Sequence, residues 1–350
     1  MATVERKIER RSEPVRSRLR RTWGCPLRPL KTFVIRPLRN WLVRSLQSSQ
    51  SPWIGRLILK IAQLRAPARL PGSFLRHLVE LAPPDNPLAR LQHKLPSIDL
   101  VTVTAVDTFD FAETCLQAAR KASQNPVKNS YAIVPSGQIE EAKKRIPSAQ
   151  VVSEDDVLPP AIKSSLSHFD GVGRRHWVLC QVLGLYFASK SSSAGVLVVD
   201  ADTYILKPRT WLTQDGVQLL SFSREYHLPY EEHCREFLGP RTCHHGLSYV
   251  THYMLMQPDI VNQIFPGDSA FVDWITAGDK RLKSAVADYH TYGRFLVENF
   301  PRRVQMGKWN NKAFVWDSSM SLAPGQIVEK ISKEFWRFSS ASSHRYLERR

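Results

Sequence analysis

The chain reads as an α/β protein built on a mostly parallel, doubly wound central sheet, preceded by a basic extension. Three observations predict this. From about residue 97 onward, strand-length apolar runs alternate with helical stretches, the order that yields a parallel sheet with crossover helices. The run Val196-Leu197-Val198-Val199 is unbroken and apolar, as in a strand covered on both faces. The charge is unevenly divided: of a formal +17, residues 1–96 carry +15 (20 Lys/Arg against 5 Asp/Glu), and residues 97–350 are near balance at 29 against 27.

In order along the chain, residues 1–96 are Arg- and Pro-rich, with Trp23, Phe33, Trp41 and Trp53 interleaved. Within them, residues 53–65 predict a short basic helix, with Trp53, Ile54, Leu57, Ile58, Ile61 and Leu64 at helical spacing and Arg56, Lys60 and Arg65 off that face. Such a helix suits the interface of an anionic membrane, where each Lys or Arg contributes roughly 1 kcal/mol. It equally suits an extension packed on the main domain or a solvated tail. The charge also permits nucleic-acid binding, but no recognition motif accompanies it. The Pro-spaced stretch 82–87 predicts a linker.

Order is expected from Ser97. Residues 98–105 form a β-branched run of strand length, followed by a helix over about 109–123 and a strand over 130–134, closed by Pro135-Ser136-Gly137. A short helix over 139–145, a strand over 150–153, a helix over 173–189 and the strand 196–199 follow. Residues 249–256 predict a further strand, and about 325–350 predict a polar helix and tail. The expected organisation is therefore an extension over 1–96, a main domain over 97–325 and a C-terminal segment over 326–350.

Composition bounds the rest. Hydrophobic residues make up 43% of 350, ordinary for a globular protein with one large core. No apolar run reaches the roughly 18 residues of a membrane span, and no apolar segment follows the first residues as a secretory signal requires. Five cysteines without paired spacing fit a reducing compartment. The expected location is cytoplasmic, with attachment to the inner membrane face left to the basic segment.

The chemistry centres on Asp200-Ala201-Asp202, where the apolar run 196–199 ends. In a parallel sheet, ligands bind beyond the carboxyl ends of the strands. Carboxylates at i and i+2 of a strand share a face, and two hard oxygen donors side by side suit Mn2+ or Mg2+, which also bind diphosphates. Burying two such groups uncompensated is costly, so a cation or strong donors must stand nearby.

The run Gly195–Thr203 with Lys207-Pro208 resembles the DXD region of A-type glycosyltransferases. Three further segments resemble, more narrowly, a mainly bacterial family of glycosyltransferase-like domains of uncharacterised function. These are Trp177 with Gln181, Thr251-His252-Tyr253-Met254-Leu255, and Asp288-Tyr289-His290-Thr291-Tyr292-Gly293. The resemblance spans about residues 97–320, and it expects Glu where Asp288 stands. It implies one Rossmann-like domain, its first half binding the nucleotide and its second half the acceptor. It also implies a nucleotide-diphosphate sugar donor, a saccharide or lipid-linked acceptor, and a place in polysaccharide synthesis. Asp202 would ligate the metal; Asp200 would assist it and contact the donor. His252 would be a third metal ligand, an acceptor-binding group or a base. Asp288 would be the general base, or else a helix N-terminal carboxylate. Thr203, Lys207, Trp177 and Gln181 fall on the donor side, although Lys207 equally suits a solvated position and Trp177 a core one.

Two other readings compete. A haloacid dehalogenase-type phosphatase also places Asp-x-Asp after an apolar strand, but near the start of its domain and with Thr or Val where this chain has Tyr204. A non-catalytic, membrane-associated module of the same fold is the other. His233, Cys234, Cys243, His244 and His245 offer zinc-type ligands but no CxxC pair. Trp309, Phe314 and Trp316 are expected to fill the core of the second half or line an acceptor groove.

Overall fold

The computed structural model describes residues 94–223, 227–239, 247–282, 284–314 and 324–343. The basic helix expected over 53–65 and the linker over 82–87 lie outside them, as do Cys243, His244, His245 and Trp316.

Four strands, β1 (Ile98–Val103), β2 (Val127–Val134), β3 (Gln150–Ser153) and β4 (Val196–Val199), lie parallel in the order β3-β2-β1-β4. The crossovers are α1 (Phe109–Ala122) and α2 (Ile139–Arg145), then the short helices α3 (Glu154–Val157) and α4 (Pro160–Ser165), and α5 (Arg175–Lys190). The helix expected over 173–189 thus begins slightly later, after a 3-10 turn (Leu166–Val172) that ends at Gly173 with φ +64°, a left-handed conformation that favours glycine. All four residues of β4 are buried, which is why its sequence carries no polar alternation.

The sheet's outer edge is β7, which runs antiparallel to β4. It spans Tyr253–Met256, four residues rather than the eight expected. Its ladder pairs Val199 with Tyr253 and stops where β4 stops. Upstream, Thr251 Oγ1 donates to the Tyr253 carbonyl at 2.7 Å, bending the chain at His252.

The chain turns sharply after β4, with Thr203 N–H donating to the Asp200 carbonyl at 3.0 Å, and leaves the main sheet as β5 (Thr203–Ile205). A two-stranded sheet pairs β6 (Gln218–Phe222) with β8 (Val304–Lys308) in parallel. Between them come α6 (Leu228–Leu238), α7 (Pro258–Ile264), α8 (Asp268–Ala277) and α9 (Asp288–Asn299). The helix α9 packs closely: a Cβ on Gly293 would stand 2.5 Å from Tyr249 Cγ, so only glycine fits.

The C-terminal segment carries the helix expected, but a strand follows it in place of a tail. After β9 (Asn311–Phe314) and α10 (Pro324–Glu334), Ser340–Ser343 forms β10. It lies between β5 and β9 and is buried throughout. Three serines in four residues read as solvated chain, but here two of their hydroxyls are bonded: Ser340 Oγ donates to Asn311 Oδ1 at 2.8 Å, and Asn311 Nδ2 donates to Ser342 Oγ at 2.8 Å. Ser343 N–H then reaches the Asp202 carbonyl at 3.0 Å, so the last strand buttresses the acidic turn.

Helix α1 sits between two core clusters. One holds Leu100, Phe109, Leu116, Leu197, Trp211 and Leu255; the other holds Phe111, Cys115, Tyr204, Ile327, Ile331 and Ala341. Burying a Leu or Phe side chain of this kind contributes roughly 1.5–3 kcal/mol, and this anchors both arms of the turn that carries Asp200 and Asp202. Among the described residues no helix is long and apolar enough to cross a membrane.

Candidate active site

The exhausted β4 ladder delivers Asp200 to the carboxyl edge of the sheet, where three groups fix its orientation. Its backbone N–H donates to the His252 carbonyl at 2.9 Å. Tyr289 Oη donates to Oδ1 at 2.9 Å, and His252 Nδ1 lies 3.0 Å from Oδ2. Burial, reinforced by the Asp200 charge, holds the Tyr289 phenol well above its ordinary pKa, so it stays a donor.

Asp202 is more deeply set, and Thr203 Oγ1 is its close side-chain neighbour at 3.4 Å, a long hydrogen bond. Desolvation, then repulsion from Asp200, pushes its carboxyl up to about 6, although His252 counteracts. The trio Asp200, Asp202 and His252 can place one ligand atom each within 4.8 Å of one another. Two carboxylates against one imidazole leave this corner short of positive charge. Those residues fit a divalent cation on both donor chemistry and charge.

Beside the trio opens a cavity of about 240 Å³. Trp177, Cys180 and Gln181 of α5 form one wall, Asp288 and Tyr289 of α9 another, and Asp200, Ala201, Tyr230 and Thr251 complete it. The two helices are tied together there: Asp288 N–H donates to Gln181 Oε1 at 2.9 Å. Asp288 itself is buried, and that desolvation, with a smaller push from Asp200, raises its carboxyl to about 8.

No protein-family model matches the chain, and no curated protein matches it in sequence. Among solved structures it is similar to the galactosyltransferase LgtC in complex with donor and acceptor sugar analogs, at 11% identity and a TM-score of 0.37, covering 70% of this chain and 86% of that one. An active-site mutant of LgtC is similar at 10% identity and a TM-score of 0.38, again covering 70% and 86%. The narrower bacterial family likened to the motifs has no family match behind it.

The structure brings most of the residues singled out in the sequence to one place. Asp200, Asp202 and His252 converge, and Trp177, Gln181 and Asp288 share the adjoining cavity with Asp200. Thr203 is buried behind Asp202. Lys207 is exposed beyond β5 and belongs neither to the trio nor to the cavity wall. His233 and Cys234 are core residues: His233 bonds the Trp274 carbonyl at 2.7 Å, Cys234 Sγ lies 3.6 Å from Thr291 Oγ1, and burial drives the His233 pKa down to about 4.

Two residues without an assigned part in the site also belong to it. Tyr289 was visible only as the neighbour of Asp288, and nothing in the sequence linked it to Asp200. Trp309, after β8, packs its ring against His252 at 5.1 Å between centroids and 30° between planes. It was expected in the core or an acceptor groove; it is partly buried, packs against the main core cluster, and turns its ring to His252 as well.

Proposed function

We propose that the chain is a metal-dependent glycosyltransferase that moves a sugar from a nucleotide-diphosphate donor to a saccharide or lipid-linked acceptor. One observation carries this reading: Asp200, Asp202 and His252 converge at the carboxyl edge of a parallel sheet, beside a cavity walled by Gln181 and Asp288. Asp202, Asp200 and His252 would hold Mn2+ or Mg2+. When bound, such an ion supplies Lewis-acid neutralisation of the charge on a departing diphosphate.

The other parts belong to the chain. Tyr289 and His252 hold Asp200 in one orientation, and Trp177 with Gln181 walls the donor side. Asp288, its carboxyl raised to about 8 by burial, is the candidate base if the reaction inverts the anomeric centre, acting in the ionised fraction that grows as pH rises toward that value; His252 is the alternative base. If configuration is retained, the leaving diphosphate can itself receive that proton and no protein base is needed. Residues 1–96 are assigned the membrane-facing task and the remainder the catalytic one.

The test is binding of UDP and GDP by calorimetry with and without Mn2+. Binding should require the metal, and Asp202→Ala should abolish it, a loss above about a hundredfold because a direct ligand matters more than the outer-shell groups worth 10–100-fold. The circular dichroism of the variant should be unchanged. Metal-independent binding, or binding that survives Asp202→Ala, would remove the basis of the assignment.

A further inference from the structure

The cavity beside Asp200 has a chemical character of its own. At about 240 Å³ it is smaller than the roughly 300–1,000 Å³ pockets that enclose whole drug-sized ligands. It has room for one ring, so a nucleotide-linked ligand would place only part of itself inside. Among the described residues no Lys, Arg or His lines it, and its ionisable acids are Asp200 and Asp288. A ligand carboxylate turned toward Gln181 and Asp288 would find no Lys, Arg or His in the lining to pair with, in surroundings already dry enough to disfavour ionised groups.

Gln181 sharpens the picture. Its side chain is more than nine-tenths buried, and its amide Nε2 makes no hydrogen bond. The amide cannot be turned over to cure this, because Oε1 is the acceptor for the Asp288 N–H. Gln181 lines the cavity, and behind that wall its two amide N–H donors are buried without an acceptor, a state in which polar groups are seldom left. A hydroxyl oxygen supplies the missing acceptor and returns a proton to donate. Across from it, Asp288 keeps its proton at neutral pH, since burial raises its carboxyl to about 8. It then offers both an O–H and a C=O, which again suits hydroxyl groups. Trp177, half-buried on the same face of α5, adds a flat apolar surface for the C–H face of a sugar ring.

We propose that this cavity receives an uncharged, polyhydroxylated glycosyl ring, read by Gln181 and Asp288, and that it excludes sugars bearing a carboxylate. The proposal rests on the glycosyltransferase reading and narrows it: the transferred group is a neutral sugar rather than a uronic or other acidic sugar. Selectivity of this kind comes as much from the repulsive element as from the attractive one.

The experiment is calorimetry on the full chain with Mn2+, using UDP, UDP-glucose, UDP-galactose and the two matching UDP-uronates, then GDP, GDP-mannose and GDP-mannuronate. In whichever nucleotide series binds, at least one neutral sugar should bind more tightly than the bare diphosphate. Its uronate should bind about a hundredfold more weakly than the neutral sugar. Gln181→Leu should erase the advantage of the neutral sugar over the diphosphate, weakening the sugar far more than the diphosphate, with an unchanged circular dichroism spectrum reporting an intact fold. A uronate bound as well as its neutral partner would overturn the proposal, with or without a folded variant. So would equal losses of diphosphate and sugar in Gln181→Leu. If neither UDP nor GDP binds with Mn2+, the glycosyltransferase reading itself fails and takes this one with it.

Discussion

Helix α9 carries two sets of acid and base groups that are arranged in opposite ways. At its first turn, Asp288 faces the cavity and Tyr289 touches Asp200. Beyond that turn, His290 and Arg294 meet Glu231 of α6, at 3.1 Å and 3.6 Å, and Arg294 also reaches Glu298 at 3.2 Å. In the second set the side chains of His290, Arg294 and Glu231 are at most 2% exposed, and every acid has a base against it. In the first, Asp200 and Asp202 share a single histidine, Asp288 is buried nearby with no ion pair among the described residues, and Asp200 is 43% exposed. Charge that serves the fold is buried and matched. Charge at the proposed site is left partly open and short of a partner, as a group that a ligand is to complete should be.

That contrast can be broken most forcefully on the matched side. Glu231→Ala leaves Arg294 and His290 buried without their shared acid, and breaking a buried pair typically costs 3–5 kcal/mol. Urea denaturation should show a loss of that order, with Mn2+ affinity unchanged in the folded fraction. If stability does not move while metal binding does, the two sets are not divided as described.

The next effect is a pH dependence at Asp288. Its folded pKa of about 8 lies above the ordinary carboxylate value, so the native state retains a proton that the unfolded chain has released. Stability is then full below the unfolded pKa and falls as pH rises through the folded one. Each pH unit in that window is worth at most about 1.4 kcal/mol, and water in the cavity reduces this. Asp288→Asn abolishes the slope. Relative to the parent, it should gain on the order of 1–2 kcal/mol between pH 5 and 7, read from denaturation midpoints of the metal-free protein. Parallel pH profiles for the two proteins would mean that Asp288 is solvated and not poised.

Tyr289→Phe is smaller and more local. It removes the donor that fixes Asp200 Oδ1 and keeps the ring, so Mn2+ affinity should fall about tenfold, the lower end for groups that orient a metal ligand. Thermal stability should hardly change, since the phenyl ring still fills its place in the wall.

What could be read in advance follows the range of the interactions. The Asp200-Ala201-Asp202 edge was legible because a fully buried strand must be an unbroken apolar run, and carboxylates at its end break that run abruptly. Trp177 and Gln181 were legible as one helix face, since i, i+4 spacing is local geometry. The short reach of β7 was not, because its length is set by the four residues that β4 offers as partners. Nor was β10: Ser340, Ser342 and Ser343 look solvated until Asn311 and the edge of β5 are brought to them. Tyr289 and Trp309 reach the site from 89 and 57 positions beyond Asp200 and His252, distances closed only by packing.

Trp309 gives the finest test of the comparison, because it acts on the unmatched set without carrying charge. Its ring lies 5.1 Å from that of His252 and tilted by 30°, near the offset geometry that aromatic pairs favour. Contacts of this kind are worth about 0.5–1.5 kcal/mol beyond the area they bury, and here the contact limits rotation of a ring whose Nδ1 already faces Asp200. Trp309→Leu should therefore weaken Mn2+ binding by roughly two- to tenfold, and Trp309→Phe should restore most of it. A purely structural tryptophan predicts another order: both variants would lose stability in proportion to the volume removed, and the affinity of the remaining folded protein would stay level. Measuring the melting temperature and Mn2+ affinity of both variants separates the two, since only a positioning role lets phenylalanine recover affinity without recovering the lost volume.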